Sequence, residues 1–390
     1  MISFDNTEIA FASKSNKDLQ WSYRLFKMIG KPWLVKFGEV FTNVALKLRF
    51  PFVKGAIKRT IYKHFCGGEA IADCDNKIQE LGKYGIGTIL DYSVEGKDSD
   101  DDLDFTRDEI IATIVRAKAD DNIPFSVFKP TGIARTDLLK KVNVEGAALN
   151  EADEKDHQAA LARFDAICKA AYEHQVPLFV DAEDSWFQDW IDRTTNTMME
   201  KYNKEEVIIY NTIQMYRHDR LEFLKRTAEE AKAGGYKVGI KLVRGAYMEK
   251  EDERAEEKGY PTPIQPNKEA TDRDYDAGLE FMIDHLDYFA ICAGTHNEKS
   301  SAHLVELLKK RGIDKSDKRI YFAQLLGMSD HISYNLAHAG YNVAKYVPYG
   351  PVKEVMPYLI RRAQENTSVA GQMGRELSLI VSEQKRRKKA

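Results

Sequence analysis

Residues 238–247 read Val-Gly-Ile-Lys-Leu-Val-Arg-Gly-Ala-Tyr. This is a mainly apolar run that is followed by a cation, two small residues and a tyrosine. A short run of this kind, rich in β-branched residues, is typical of a strand that is covered on both faces in a parallel sheet. The polar end of the run is typical of a strand that leads into a functional loop. This stretch therefore indicates the repeating unit of the fold.

Seven further runs share these features, and amphipathic segments such as residues 159–174 and 302–311 separate them. The eight runs are residues 87–94, 125–129, 178–181, 207–214, 238–243, 289–294, 319–322 and 343–347. Eight strand–helix units predict an α/β protein with a closed (β/α)8 TIM-like barrel. A dinucleotide-binding open sheet is the alternative, but the GxGxxG and Walker A motifs typical of nucleotide-binding sheets are absent.

The predicted barrel spans residues 82–380, and no linker divides it, so we expect one catalytic domain. Residues 1–81 have apolar residues at helical spacing and predict an N-terminal helical arm, and residues 381–390 form a basic tail. The arm is basic, because residues 21–65 contain ten Lys or Arg and one acid, Glu39. Two interpretations are open. The arm packs on the barrel, or its basic and apolar face lies on an anionic membrane.

Composition excludes several classes of function. The formal net charge of −3 predicts no general affinity for nucleic acid. The four cysteines are scattered, which predicts neither a metal site nor disulfides and indicates a reducing compartment. The chain begins without the features of a signal peptide, and no apolar run reaches the roughly 20 residues needed to span a bilayer. The expected location is the bacterial cytoplasm, with peripheral attachment to the inner membrane as an option.

The ends of the eight runs carry most of the candidate site residues. In a (β/α)8 barrel the active site is built from the C-terminal ends of the strands and the loops that follow them. Nearly every run here ends in polar or charged residues, among them Asp91, Lys129, Asp181, Gln214, Arg244 and His296. The sequence therefore predicts a polar, anion-binding site rather than a purely structural barrel.

A further motif, Tyr-Leu-Ile-Arg-Arg-Ala-Gln-Glu-Asn, occupies residues 358–366 after the eighth run. On a helix, Arg361 and Arg362 point about 100° apart, so both can approach one anion. Arg361 and Glu365 are four residues apart, which is also the spacing of an ordinary solvated ion pair. The segment by itself is compatible with either interpretation.

Taken together, the motifs resemble the proline dehydrogenase family. The resemblance rests on residues 358–366 and, in chain order, on residues 91–95, 181–183, 242–247, 295–297 and 324–328. It covers roughly residues 85–372. The chain resembles the monofunctional members, because its length has no room for the aldehyde dehydrogenase domain of bifunctional relatives.

The resemblance implies FAD inside a distorted barrel, oxidation of L-proline to Δ1-pyrroline-5-carboxylate, and transfer of electrons to a membrane quinone. It implies that Lys129, Arg361 and Arg362 bind the substrate carboxylate. It also places Tyr346, Tyr358 and Leu325 against the pyrrolidine ring. Asp91 lies beneath the substrate in this interpretation, and Glu365 supports the two arginines.

The same resemblance assigns residues to the flavin. They are Ala182, Gln214, Arg244, Gly245, Ala246, Thr295 and His296. Asp181 and Lys241 match positions that shape the flavin's reactive centre. Which of Lys241 and Arg244 contacts the flavin ring stays open. For His296 the alternative is a histidine whose hydrogen bonds are satisfied in the core.

The implied mechanism is hydride transfer from proline C5 to flavin N5, for which the substrate amine must be neutral. No general base is evident, and we expect the cationic pocket to lower the amine pKa. Oxidation of trans-4-hydroxy-L-proline is the rival activity, and the ring of Tyr346 is expected to crowd the 4-hydroxyl group. A non-catalytic barrel that binds amino acids or membranes is the rival from another class.

Overall fold

The computed structural model describes residues 2–29, 55, 57–94, 98–368 and 372–389. Side chains are described in these ranges except for residues 29, 363–368, 372 and 373. Most of the basic stretch of the arm and the predicted role of Glu365 therefore lie outside the described part of the chain.

Eight parallel strands form a closed barrel in chain order, with β8 paired to β1. The strands are β1 (Ile86–Tyr92), β2 (Phe125–Phe128), β3 (Leu178–Val180), β4 (Ile209–Gln214), β5 (Val238–Val243), β6 (Phe289–Gly294), β7 (Ile320–Leu325) and β8 (Val343–Tyr349). The predicted (β/α)8 barrel is confirmed. The seventh strand is longer than predicted, because it continues through Gln324 to Leu325.

Helices surround the barrel and flank it at both ends of the chain. They are α1 (Thr7–Ala10), α2 (Asn16–Ile29), α3 (Asp75–Gly82), α4 (Asp100–Lys118), α5 (Thr136–Val142), α6 (Glu151–His174), α7 (Ser185–Tyr202), α8 (Arg220–Gly234), α9 (Met248–Lys258), α10 (Lys268–Asp284), α11 (Glu298–Arg311), α12 (Asp330–His338), α13 (Met356–Ser368) and α14 (Gln372–Lys389). Short helical turns cover Lys58–Tyr62, Lys63–Phe65, Ile71–Cys74 and Pro130–Gly132.

The alternation of each strand decides which residues reach the inside of the barrel. In β5, Val238, Ile240 and Leu242 join the large apolar core between strands and helices. Lys241 faces the other way, toward the interior. Below the mouth, an apolar layer fills the barrel and includes Phe125, Phe179, Tyr210, Cys292 and Tyr346. The functional groups therefore lie on top of a packed floor.

The described part of the arm packs on the protein. Leu25, Tyr62 and Phe65 are buried in one cluster with residues of the loop after β8 and of α13. Phe11 and Phe26 are buried in another cluster with Leu379 and Ile380 of α14. These contacts favour the first interpretation of the arm for the described residues.

The C-terminal segment is part of a helix. The boundary predicted at residue 380 falls inside α14, and residues 381–389 continue that helix. Arg387 donates hydrogen bonds to the backbone oxygens of Phe11 and Lys14, and to Glu383 in its own helix. Some cations of the predicted tail thus fasten the arm to α14. In the described ranges, no helix is long and apolar enough to cross a membrane.

Candidate active site

Five side chains meet at the C-terminal mouth of the barrel. Lys129 Nζ lies 3.0 and 3.1 Å from the carboxylate oxygens of Asp91 and 3.4 Å from Asp181 Oδ2. Tyr346 Oη donates to Asp181 Oδ1 at 2.9 Å. Lys241 donates to Asp181 and also contacts Tyr346 Oη at 2.5 Å. Two ammonium groups, two carboxylates and a phenol thus form one network, which we call the mouth network.

The charges in the mouth network determine its protonation. Burial acts to raise the pKa of Asp181, but the ammonium groups of Lys241 and Lys129 hold it below its ordinary value. Burial and the charge of Asp181 raise the pKa of Tyr346 well above its ordinary value. At neutral pH, Asp181 is therefore ionised and Tyr346 keeps its proton.

Arg244 lies beyond the end of β5 in a second cluster. Its guanidinium donates to Asp272 Oδ1 at 2.7 Å, to Thr295 Oγ1 at 2.7 Å and to Ser300 Oγ at 2.9 Å. It also stacks 4.3 Å from the centre of the Tyr275 ring. Among the described residues, three of its five N–H groups have these partners.

The loop after Arg244 comes close to other backbone and aromatic atoms. Gly245 has φ 131°, a conformation that favours glycine. A Cβ atom at this position would lie 2.5 Å from the ring of Tyr216. Gly245 and Ala246 are exposed. The loop therefore leaves its backbone exposed at this rim, and its predicted contact with the flavin stays a prediction.

His296 follows β6 at the same rim. Its Nδ1 lies 3.0 Å from Ser329 Oγ. Burial, together with the charges of Lys345 and Arg362, lowers the pKa of His296 to about 3. The imidazole is therefore neutral at physiological pH.

Two other predicted flavin residues hold the strand ends in place. Gln214 donates to the backbone oxygen of Glu183 at 2.7 Å. The backbone oxygen of Thr295 accepts from Gln324 at 3.1 Å. Ala182 is half-buried in the loop between β3 and α7.

Leu325 joins the mouth to α13. It pairs with Tyr346 across β7 and β8. It also packs against the cluster that contains Tyr358 and the arm. Arg362 lies on the ring of Tyr358, 5.1 Å from its centre. Arg362 is buried and Arg361 is half-buried.

The comparison with protein families decides the family of this chain. The family model described as proline dehydrogenase matches residues 74–375, which include the whole barrel and the mouth network. The chain belongs to the proline dehydrogenase family.

Several relatives match most of the chain. It is 32% identical to "Proline dehydrogenase 1, mitochondrial" of Dictyostelium discoideum, over 98% of this chain and 74% of that protein. It is 33% identical to "Hydroxyproline dehydrogenase" of Xenopus laevis, over 97% of this chain and 88% of that protein. A further relative is the carbapenem antibiotics biosynthesis protein CarD of Pectobacterium carotovorum, 32% identical over 86% of both chains.

Solved structures show the same fold. A crystal structure of proline utilization A from Bdellovibrio bacteriovorus, inactivated by N-propargylglycine, superposes with a TM-score of 0.72 and 20% identity. The match covers 94% of this chain and 38% of that chain. This chain thus spans well under half the length of that protein, and the likeness is one of fold.

Within the proline dehydrogenase barrel, the structure brings together Asp91, Lys129, Asp181, Lys241 and Tyr346. Arg244 lies apart, with Asp272, Thr295 and Ser300. Of the two cations of the Lys241–Arg244 pair, Lys241 therefore lies in the mouth network and Arg244 lies at the outer rim. The predicted roles of these residues stay predictions.

Several partners were not identified from the sequence. Asp272 and Ser300 orient Arg244, and Ser329 contacts His296. Ser329 follows the Gln324–Met328 motif directly, and its place beside that motif was a usable signal. Glu376 in α14 accepts the backbone N–H of Ser329 at 2.8 Å, and no local pattern identifies it.

Proposed function

We propose that this protein oxidises L-proline to Δ1-pyrroline-5-carboxylate with FAD as cofactor. The observation that carries the proposal is the mouth network, which lies inside the segment that matches the proline dehydrogenase family. It supplies cations at the mouth of the barrel, above an apolar floor, as binding of a small amino acid requires.

The residues at the outer rim fit FAD. The guanidinium of Arg244 supplies a cation for a diphosphate, and neutral His296 lies at the same rim. Gly245 and Ala246 leave the backbone open beside them. The chemistry that FAD supplies when bound is acceptance of a hydride. Arg244, Gly245, Ala246, Thr295 and His296 are the residues that would hold it, with Ala182 and Gln214 at the ends of the neighbouring strands.

The chain's own residues bind and orient the substrate. We assign the carboxylate to Lys129, Arg361 and Arg362, since guanidinium and ammonium groups form strong charge-assisted bonds with carboxylates. Asp91 holds the Lys129 ammonium from below with both carboxylate oxygens. The floor of the substrate site is then the ring of Tyr346 with Leu325, and Tyr358 covers it from α13.

The amine of the substrate must lose its proton before oxidation. The ammonium groups of Lys129 and Lys241 disfavour a further positive charge at the mouth. Asp181 is paired with both ammonium groups, so its negative charge is compensated. We therefore assign deprotonation to the electrostatics of the pocket. The pH profile of kcat/KM tests this: it should show a substrate amine that titrates below its value in free proline.

Anaerobic titration with L-proline, followed by the flavin spectrum, tests the proposed function. Bleaching by L-proline is expected. Pyrrolidine, which lacks the carboxylate, is the matched control and should bleach the flavin at far higher concentration. A protein that neither carries nor acquires yellow absorbance with FAD would refute the proposal and favour the non-catalytic barrel.

Oxidation of trans-4-hydroxy-L-proline is the second candidate function. The relative named hydroxyproline dehydrogenase matches 97% of this chain, which keeps this activity open. Against it stands Tyr346, whose ring is fixed in the mouth by Asp181 and Lys241. The wild type should prefer proline, and Tyr346→Ser should shift the ratio of kcat/KM values toward hydroxyproline. An unchanged ratio would contradict the assignment of Tyr346.

The electron acceptor and the location are further proposals. We propose a membrane quinone as acceptor and peripheral contact of the arm with anionic lipid. The predicted bacterial cytoplasm stays a prediction, and several relatives are named mitochondrial. Replacing Lys36, Lys47, Arg49 and Lys54 with Gln should weaken binding to anionic vesicles at low salt. Equal binding of this variant and the wild type would exclude a role of these cations.

A further inference from the structure

Glu183 is the last residue of the 181–183 motif, and its side chain is bound to the loop that follows β2. The carboxylate accepts two hydrogen bonds from one residue, Thr131. Glu183 Oε1 accepts from the backbone N–H of Thr131 at 2.9 Å, and Oε2 accepts from Thr131 Oγ1 at 2.5 Å. Both residues are buried. This two-point contact fixes the backbone and the side chain of Thr131 at the same time.

Thr131 lies in the helical turn Pro130–Gly132, which directly follows Lys129. We call it the 130–132 turn. The backbone N–H of Gly132 donates to the backbone oxygen of Lys129 at 2.9 Å, which ties the turn to that residue. A contact that fixes the turn therefore also fixes the backbone from which the Lys129 side chain starts.

The Lys129 side chain is held at both of its ends. Its ammonium group contacts Asp91 and Asp181 in the mouth network, and its backbone is held by the 130–132 turn. Asp181 and Glu183 are two residues apart, and they bind Lys129 and Thr131, which are also two residues apart. Because lysine has a flexible stem, fixing both ends of the side chain limits where the ammonium group can lie.

The backbone of Glu183 is fixed on both sides. Its N–H donates to Gln188 Oε1 at 2.7 Å, and its backbone oxygen accepts from Gln214 Nε2 at 2.7 Å. Gln188 donates in turn to Asp192 Oδ1 at 2.8 Å, and Arg220 donates to Asp192 Oδ2 at 2.7 Å. All of these side chains are buried. The carboxylate of Glu183 thus extends from a rigid support, as precise positioning of a site residue requires.

We propose that Glu183 is a positioning residue for Lys129. Through Thr131 it fixes the 130–132 turn, so that the Lys129 ammonium group stays where the carboxylate of the substrate binds. The inference rests on the proposed function, because it takes Lys129 as a ligand of that carboxylate. Loss of the contact should therefore weaken binding of the substrate through its carboxylate, and should not affect recognition of the ring and the amine.

Variants of the full-length holoenzyme test this inference. Thr131→Val removes the hydroxyl donor and keeps the shape of the side chain, and Thr131→Ser keeps the donor. Glu183→Leu removes both acceptor oxygens. Ser185→Ala is the matched control, because Ser185 donates its N–H and its hydroxyl to the buried carboxylate of Glu251, at 2.7 and 2.6 Å. The control thus loses an equivalent hydrogen bond outside the turn that follows Lys129.

The first measurement is the rate of anaerobic flavin reduction at increasing concentrations of L-proline or pyrrolidine. In Thr131→Val the half-saturating concentration of proline should rise about tenfold, the effect of one lost hydrogen bond to a carboxylate, and that of pyrrolidine should not change. Thr131→Ser should restore the wild-type value, and Ser185→Ala should keep it. Similar losses for both substrates, as a merely structural role predicts, would overturn the proposal.

Glu183→Leu should raise the half-saturating concentration of proline at least as much as Thr131→Val does. The combination of the two should be no weaker than Glu183→Leu alone, because both changes break the same contact. Additive effects would contradict the proposal. The two Thr131 variants decide the question even if Glu183→Leu does not fold.

The second measurement does not depend on catalysis. In protein labelled with 13C at Cε of lysine, the Lys129 signal is identified by its loss in Lys129→Met. It should shift in Thr131→Val and Glu183→Leu, and it should keep its wild-type position in Thr131→Ser and Ser185→Ala. A signal that does not shift in Thr131→Val would refute the positioning role. If proline fails to reduce the flavin while the signal behaves as expected, the proposed function fails and the positioning of Lys129 stands.

Discussion

The ammonium group of Lys129 lies between both carboxylate oxygens of Asp91, at 3.0 and 3.1 Å. Asp91 is 2% exposed, and its Oδ2 also accepts a hydrogen bond from Ser93 at 2.7 Å. A buried carboxylate of this kind requires a cation, and a buried cation requires a carboxylate. The pair therefore orients Lys129 before any substrate arrives, which reduces the entropy that binding must overcome.

Replacing Lys129 with Met should mainly weaken proline binding. The variant loses one of the proposed carboxylate ligands and leaves Asp91 without its ammonium group. Loss of one partner of a buried charged pair is worth about 2–5 kcal/mol, so kcat/KM should fall by roughly 30- to 5,000-fold. Asp91→Asn should raise KM by a smaller factor. Steady-state kinetics with L-proline measure both.

Lys141→Met is the matched control for this prediction. Lys141 forms an ion pair with Asp153 at 2.8 Å outside the mouth network, with side chains 47% and 11% exposed. A surface pair contributes at most about 1 kcal/mol to stability, and its loss should not affect kinetics. Equal kinetics of Lys129→Met and Lys141→Met would contradict the proposed clamp.

Gly245 gives a prediction on the cofactor side of the site. Gly245→Ala places a Cβ against the ring of Tyr216 in a conformation that suits only glycine. The expected loss is about 1–3 kcal/mol of stability, with weaker retention of FAD. Gly374→Ala in α14 is the control, because nothing lies within 4 Å of its added Cβ. Thermal unfolding and flavin release should separate the two variants, and identical behaviour would contradict the role of the 245 loop.

The strands could be predicted from the sequence because each depends on its own apolar run. β4 and β8 are buried at every position, and the sequence shows an apolar run for each of them. The end of β7 was missed because Gln324 interrupts the apolar pattern. Its side chain donates to the backbone oxygen of Thr295, which is distant in the sequence. It also accepts a hydrogen bond from Ser333 on the next helix, α12. A polar residue that is satisfied only by the folded barrel gives no local signal.

The strand ends that meet at the mouth could be predicted, but not the hydrogen-bond partners of the residues they carry. The ends of the strands are known to meet at one face, so Asp181 and Tyr346 were candidates for a common site. Their hydrogen bond joins residues 165 positions apart and depends on closure of the barrel. The orientation of the Arg244 side chain likewise depends on Asp272 in α10 and Ser300 in α11. The side chain of Glu365 lies outside the described part of the chain, so its predicted support of the arginines stays a prediction.

Two glutamates near His331 predict opposite pH dependence of stability. Burial acts to raise the pKa of Glu298, but hydrogen bonds from His331 and Arg375 lower this pKa to about 2. The stabilisation from Glu298 is present above pH 4.5, its ordinary pKa, and is lost as pH falls toward 2. Burial raises the pKa of Glu376 to about 7, and the titratable groups that face it are Lys14, Asp330, His331 and Lys345. Its contribution is present below pH 4.5 and is lost as pH rises through 7.

Glu298→Gln and Glu376→Gln separate these two effects. Glu298→Gln should be less stable than wild type at pH 6, by about 2 kcal/mol after allowance for its partial exposure, and the difference should shrink toward pH 3. Glu376→Gln should gain up to about 3 kcal/mol relative to wild type between pH 4.5 and 7. Urea unfolding across this pH range, with saturating FAD, measures both differences. Differences that stay constant with pH would show that neither carboxyl group has a shifted pKa.

Lys345 should be the most sensitive single position in the second half of the barrel. It is fully buried on the outer face of β8, where it donates to Asp330 at 2.8 Å and to Met328 O at 2.6 Å. Among the described residues, Lys345→Met leaves Asp330 buried with Lys14 as its remaining ion-pair partner, and it removes the donor to the backbone oxygen of Met328. Removing one partner of a buried pair costs about 3–5 kcal/mol.

Replacing both charges should recover part of this loss. In Lys345→Met combined with Asp330→Leu, no uncompensated carboxylate remains, so the double variant should be more stable than the sum of the single variants predicts. The backbone oxygen of Met328 still lacks its donor in the double variant, so part of the loss of stability should persist. Urea unfolding of the four proteins measures these differences. Additive stabilities would show that the charges of Lys345 and Asp330 do not depend on each other.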